Sequence, residues 1–309
     1  MLPLFLQCVP NVSEGRDPEA IQALADSVRS VSGVHLVDFS SDPDHHRSVF
    51  TLLGEPAGLE SAILQLFDCA SRTIDIRSHV GEHPRVGAVD VVPFVPLLDT
   101  PMETAVALAD RVAREVGRLH RLPVFLYEES ATRPDRRRLP DLRRGQLKGL
   151  ETRMAQEGGG PDYGPAEIHP RLGATIIGAR RPLVAYNILL DTGDVQVAKA
   201  IARILREQDG GLRTVRAIGV MLGQQGRAQV SINLTDPAQV SMYRVLEMVR
   251  TEARRYGVTV LSSQLVGLTP LGALVETASY YLQLPDLNLE QVLEYQLLRT
   301  LVPLREGSS

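Results

Sequence analysis

The sequence predicts an α/β (α+β) protein of two related subdomains, each a mixed or antiparallel sheet covered by helices on one face. Three observations carry this reading. Apolar runs of strand length alternate with amphipathic stretches of helix length along most of the chain. The second half orders them βαββαβ, the ferredoxin-like arrangement of an antiparallel sheet under two helices. The first half opens with the same order. A chain of 309 residues is long enough for two cores, and the expected division is 1–181 and 182–309.

The first half begins with a strand at Leu4–Val9. Asp17-Pro18-Glu19 then starts a helix, with an acidic N-cap, proline at the first position and an apolar stripe of Ile21, Leu24, Ala25 and Val28. Gly33 ends it, and strands follow at Val34–Phe39 and Arg47–Leu53. Pro56 opens a helix to about Arg72, and the glycine- and proline-bearing stretch Ser78–Gly87 reads as loop. A strand at Val89–Val95, a helix from Pro101 to Leu119 and a strand at Val124–Glu129 complete βαββαβαβ. Residues Thr132–Tyr163 carry Arg133, Arg136, Arg137, Arg138, Arg143 and Arg144, then Gly158–Pro161, and read as a long functional loop with at most one short helix.

The second half predicts strands at Leu183–Leu190, Thr214–Leu222, Arg227–Leu234 and Val258–Val266. Helices are expected at Asp194–Glu207 and Pro237–Tyr256, with a hairpin turn at Gly223–Gly226 and two helical tails from Pro270 and Asn288.

Composition narrows the function. With 33 basic against 37 acidic residues the net charge is −4, which argues against nucleic acid as a partner. Two cysteines, Cys8 and Cys69, make no disulfide framework and read as reduced thiols. The first ten residues lack the basic region of a signal peptide, and no run approaches the ~20 apolar residues of a membrane helix. A cytoplasmic protein with no membrane partner is expected.

Four of the seven histidines, His45, His46, His79 and His83, fall in two polar segments between strands. Gly81 and Pro84 break the helix that would align His79 and His83 as metal ligands, so no metal is expected. His83 lies in Gly81-Glu-His-Pro-Arg-Val-Gly87, where an imidazole suits proton transfer near neutral pH; a surface histidine in a tight turn is the competing reading. Arg47 and Arg85, beside the two histidine segments, have the fork geometry that grips carboxylates. Backbone N–H groups of Asn11–Gly15 offer an anion site or a plain capped turn. His35 reads as a packed strand residue and His120 as an exposed helix cap. A second glycine- and proline-bounded loop, Gly164–Gly173, carries His169.

These blocks resemble the glutamate formimidoyltransferase (formiminotransferase) family. The resemblance is carried by Cys8-Val-Pro-Asn-Val-Ser-Glu-Gly15, Gly81-Glu-His-Pro-Arg-Val-Gly-Ala-Val-Asp-Val-Val-Pro-Phe94 and Pro161-Asp-Tyr-Gly-Pro165. Gly173-Ala-Thr175, Gly178-Ala-Arg180, Ala185-Tyr-Asn187 and Gln264–Leu271 complete it. The chain is similar to the stand-alone form, without the cyclodeaminase of animal members. The resemblance implies two α/β subdomains, usually as a homodimer, and transfer of a formimino group from N-formimino-L-glutamate to N5 of tetrahydrofolate in histidine degradation. Tetrahydrofolate is then a co-substrate. The family's catalytic histidine falls on His83. Its folate loop falls on Gly164, Pro165, Ala166, Glu167, Ile168, His169, Pro170, Arg171, Leu172 and Gly173.

An Asp-x-Asp common in the family reads Asp38-x-Ser40 here, so Asp38, Asp42 and Asp44 are the candidate acids, with His45 and Arg47 in support. Arg47, Arg85 and Arg180 are the candidates for substrate carboxylates. Two readings compete: a metal-dependent amidohydrolase using His45, His46, His79 and His83, and a folate-binding protein whose chemistry has changed.

Overall fold

Asp17 caps the first helix as its sequence requires, its carboxylate accepting the N–H groups of Glu19 at 3.0 Å and Ala20 at 3.2 Å. That helix, α1 (Pro18–Arg29), buries Ala20, Ile21, Leu24, Ala25 and Val28. The computed structural model describes residues 4–43, 45–79, 85–223 and 226–301, and among these the chain divides into two compact units, one ending at Arg180 and the other beginning at Arg181.

In the first unit the opening strand is interrupted. Its pieces, β1 (Leu6–Cys8) and β2 (Asn11–Val12), flank Pro10, which has no N–H to offer the ladder. The Pro10 carbonyl still accepts the Phe50 N–H at 3.1 Å, so the strand resumes in line after the break instead of ending at Val9. Next come β3 (Val34–Asp42), β4 (Arg47–Gly54), α2 (Pro56–Thr73), β5 (Val89–Pro96), α3 (Met102–His120), β6 (Val124–Glu128) and, after the arginine-rich segment, β7 (Thr175–Ala179). Across the sheet they lie in the order β3, β4, β1/β2, β5, β7, β6. Pairings are antiparallel as far as β5, and parallel from β5 to β7 and β7 to β6.

The strands β5, β6 and β7 are apolar on both faces, as parallel strands covered twice must be. Val92, Phe94, Val124, Leu126 and Ile177 face the core built with α1, α2 and α3. Their neighbours Val91, Phe125, Tyr127 and Ile176 belong to a second cluster with Leu142 and Leu150. Those two leucines come from the segment expected to be loop, which instead forms α4 (Leu139–Leu142) and α5 (Gln146–Met154). The reason is burial: helices this short are marginal alone and are held by the apolar surface they cover.

The second unit has β8 (Val184–Leu190), α6 (Val195–Leu205), β9 (Val215–Leu222), β10 (Arg227–Leu234), α7 (Met242–Arg255) and β11 (Val260–Val266), followed by α8 (Leu271–Leu282) and α9 (Leu293–Leu301). The sheet order β11-β8-β10-β9, antiparallel throughout, is the ferredoxin-like order expected. Val184, Tyr186, Ile188 and Leu190 alternate inward along β8 and join Ile201 and Leu205 of α6 and Val245 and Val249 of α7 in one core. The helix expected from Pro237 starts later, at Met242. Asp236 takes the intervening residues into a turn by accepting the Ala238 N–H at 3.2 Å and the Gln239 amide at 2.9 Å. No helix among the described residues is long and apolar enough to cross a membrane.

Candidate active site

The turn between β3 and β4 meets the turn after β2 because Gly15 lets them touch: a Cβ there would collide with the Asp42 carbonyl and the Arg47 N–H. The anion held by the second turn is the protein's own. The Glu14 carboxylate accepts the N–H groups of Gly15, Arg16 and Asp17 at 2.9, 2.8 and 3.0 Å, so those donors are taken rather than open to a ligand. Ser48 Oγ donates to the Glu14 carbonyl at 2.5 Å, and Ser41 Oγ lies 2.8 Å from Ser48 Oγ, closing the junction.

Histidines and arginines converge beside this junction. Asp42 accepts the His45 N–H at 2.9 Å, and its other oxygen lies 2.6 Å from His45 Nδ1, so Asp42 orients that ring. His46 adopts a positive φ of 50°, and its Nδ1 lies 3.6 Å from Glu14 Oε1. The His46 and His79 rings are 3.6 Å apart between centroids. Arg85 contacts His79 Nδ1 and lies 3.5 Å, through Nη2, from the His45 carbonyl. Burial, then the Arg85 charge, then His46 lower the His79 pKa to about 4, which keeps that imidazole neutral at pH 7.

Behind the histidines lies Asp90, only 2% exposed. Its Oδ1 accepts the Val86 N–H at 2.7 Å, and its Oδ2 pairs with Arg143. Arg47 is within electrostatic reach of Arg143, Asp90, Asp42 and Arg85, and burial first, then Arg143, lowers its pKa to about 10. Burial also lowers that of Arg85, with Asp90 opposing. The result is a concentration of guanidinium groups around one buried carboxylate, a place built for anions. It also disfavours a metal ion, because Arg85 and Arg16 put positive charge beside His79 and His46.

Several expected residues fall elsewhere. His83 and Asp44 lie outside the described residues. Asp38 pairs with Thr51, four residues along β3 from Asp42, or about 13 Å at the rise of a strand. Arg180 donates its N–H to the Phe94 carbonyl at 3.0 Å, four residues along β5 from Asp90 and so a similar distance from it; its charge acts on Cys8 and Tyr127. Thus Arg47, Arg85, Asp42 and His45 are gathered and Asp38 stands apart along β3, while the Arg180 side chain hydrogen-bonds Tyr127, on which Arg143 also acts. Glu14, Asp90 and Arg143 belong to the cluster although the sequence gives them no individual role, and His79, which the sequence offers only as a metal ligand, belongs to it too. His35 is exposed on its edge strand, whereas the His120 side chain is only 9% exposed, against Phe67 and 3.4 Å from Asp68.

The loop Gly164–Gly173 is ordered by its own contacts. His169 and Gly173 exchange N–H···O bonds at 3.0 and 2.9 Å, and His169 Nδ1 accepts the N–H groups of Arg171 and Leu172. Arg171 reaches the carbonyls of Ile74 and Arg72 at the end of α2. Gly173 bridges to Gly87, which ties the loop to the segment carrying Arg85. A cavity of about 340 Å³ is lined by Pro165, Glu167, Ile168, His169 and Pro170 together with Leu119, His120 and Arg121, a volume in the range of small-molecule sites.

Comparison with known proteins places this arrangement. Residues 5–180 match the family model described as the N-terminal subdomain of the formiminotransferase domain, and residues 185–303 match that described as the formiminotransferase domain. The chain is 46% identical over 295 residues to a glutamate formimidoyltransferase of Streptococcus pyogenes serotype M1, covering 95% of this chain and 99% of that protein. It is 42% identical to one of Thermoplasma acidophilum, covering 94% and 96%. Against the formimidoyltransferase-cyclodeaminase of Rattus norvegicus identity is 39%, covering 90% of this chain and 52% of the rat protein. The chain therefore belongs to the formiminotransferase family, and it is a transferase.

Proposed function

We propose that this chain moves the formimino group of N-formimino-L-glutamate to N5 of tetrahydrofolate, releasing L-glutamate, and acts in the cytoplasm as a homodimer. The observation that carries this reading is the gathering of Arg47, Arg85 and Arg143 around Asp90, directly beside His45, His46 and His79. Guanidinium groups match the carboxylates of a dicarboxylate donor and imidazole suits proton transfer between nitrogens; this cluster supplies both. The positive charge beside His46 and His79 favours the transferase over the metal-dependent amidohydrolase.

The chemistry balances without a covalent enzyme intermediate. N5 of tetrahydrofolate attacks the formimino carbon, and the N5–C bond forms as the C–N bond to glutamate breaks. His83 takes the proton leaving N5 and returns one to the departing glutamate nitrogen, a role worth ~10²–10⁴-fold. Asp42 acts through His45, whose ring it orients. Arg47 and Arg85 grip the donor's carboxylates, and bringing both substrates together supplies proximity. The loop Gly164–Gly173, with its cavity, takes the folate.

The test is His83→Ala. We expect unaltered tetrahydrofolate binding by equilibrium titration and turnover at least ~100-fold lower. Turnover close to that of the unmodified protein would remove His83 from the mechanism.

A further inference from the structure

The arginine-rich segment contains two kinds of arginine. Arg136 pairs with Asp162 at 2.5 Å and donates to the Gly160 carbonyl. Arg133 donates to the Gly158 carbonyl, Arg144 to Asp141, and Arg153 to the carbonyls of Asp141 and Leu142. These hold the segment to itself. Arg143 differs: it crosses to the start of β5 and pairs with Asp90, its side chain 12% exposed. Its neighbour Leu142 is buried in the cluster with Phe125, Tyr127 and Ile176, which fixes the backbone from which Arg143 projects.

Two features exceed what a structural ion pair requires. Arg143 Nε is buried without a hydrogen-bond partner among the described residues, although it lies on the same planar fork as the Nη2 that meets Asp90. A buried guanidinium donor left over is costly unless something accepts from it. Arg47 is also brought within electrostatic reach of Arg143, with Asp90 and Asp42 as the carboxylates nearby, so two like charges are held close together. Another anion relieves both conditions at once.

We propose that Arg143 is a donor-binding residue, taking one carboxylate of a dicarboxylate amino acid together with Arg47, while Asp90 holds it in place between turnovers. That the ligand is a dicarboxylate donor rests on the transferase reading above; recognition of an anion by Arg143 does not.

The experiment compares the unmodified protein with Arg143→Lys and Arg143→Gln. Calorimetric titration with L-glutamate is set beside steady-state kinetics with N-formimino-L-glutamate and tetrahydrofolate. Lysine keeps the charge opposite Asp90 and lacks the fork, so Arg143→Lys should keep the far-ultraviolet circular dichroism and melting temperature of the parent. It should bind glutamate roughly 10-fold or more weakly, with a similar rise in KM for the donor, while kcat and the KM for tetrahydrofolate stay within about 3-fold. Arg143→Gln should lose more on the same two measurements. Glutamate binding unchanged in Arg143→Lys, or a loss confined to kcat, overturns the proposal, as does a parent protein that binds no glutamate. A parent that binds glutamate through Arg143 but transfers nothing leaves this proposal standing and removes the transferase reading instead.

Discussion

His79 shows how much of the site's character comes from its surroundings. Its ordinary pKa of 6.5 falls to about 4 through burial and the neighbouring Arg85. Between those values the unfolded chain binds the proton that the folded site refuses, so folding weakens as pH drops from about 6.5 toward 4 and the loss levels off below. His46, lowered in the same direction by burial, adds to that slope. Urea unfolding midpoints measured from pH 7 to pH 4 should fall less steeply in His79→Asn than in the parent; identical slopes would contradict the assignment. At this scale the sequence was unevenly legible. Asp90 stands inside the apolar run Val89–Val95, and a lone acid there signals a buried, partnered carboxylate. Arg143 carries no such signal among the arginines around it, because only the fold distinguishes the one that reaches Asp90. Asp38 matches by residue type and family position, and the strand register separates it from Asp42.

The arginine-rich segment is the element where sequence and structure part most. Its pattern is polar and glycine-rich, α4 spans Leu139–Leu142 and α5 Gln146–Met154, and neither has the periodicity of an independent helix. What organises them is the second apolar face of β5, β6 and β7, which pairs Val91, Phe125 and Ile176 with Leu142 and Leu150. The long helices α1, α2 and α3 are legible because their signals are local: an Asp17 cap and stripe for α1, and a proline at the start with an apolar stripe for α2 and α3. A short helix held by a sheet face cannot be recognised before the sheet is known. Leu142→Ala should therefore cost about 2–5 kcal/mol of stability in chemical unfolding and should raise the donor's KM through Arg143. A cost under about 0.5 kcal/mol, the range of a surface substitution, would show that this segment does not pack as described.

For the whole molecule, two βαβ-rich units follow one another along the chain, and each matches its own part of the formiminotransferase family. The second unit was the more legible. Its strands alternate cleanly, and βαββαβ has one well-populated antiparallel solution, realised here as β11-β8-β10-β9. In the first unit the crossing of β5 to β7 depends on residues far apart in sequence, so the order of elements was readable while the parallel half of the sheet was not. The functional cluster sits where those non-local pairings bring the Glu14 turn, the β3–β4 turn and the start of β5 together. The transfer of a formimino group to tetrahydrofolate, proposed for this arrangement, can be assayed. It is tested most directly by incubating the purified protein with N-formimino-L-glutamate and tetrahydrofolate, acidifying, and reading the absorbance of the methenyl derivative released from the product. Methenyl formation should equal the L-glutamate released and depend on both substrates; glutamate released without methenyl, or neither product, would remove the transferase reading.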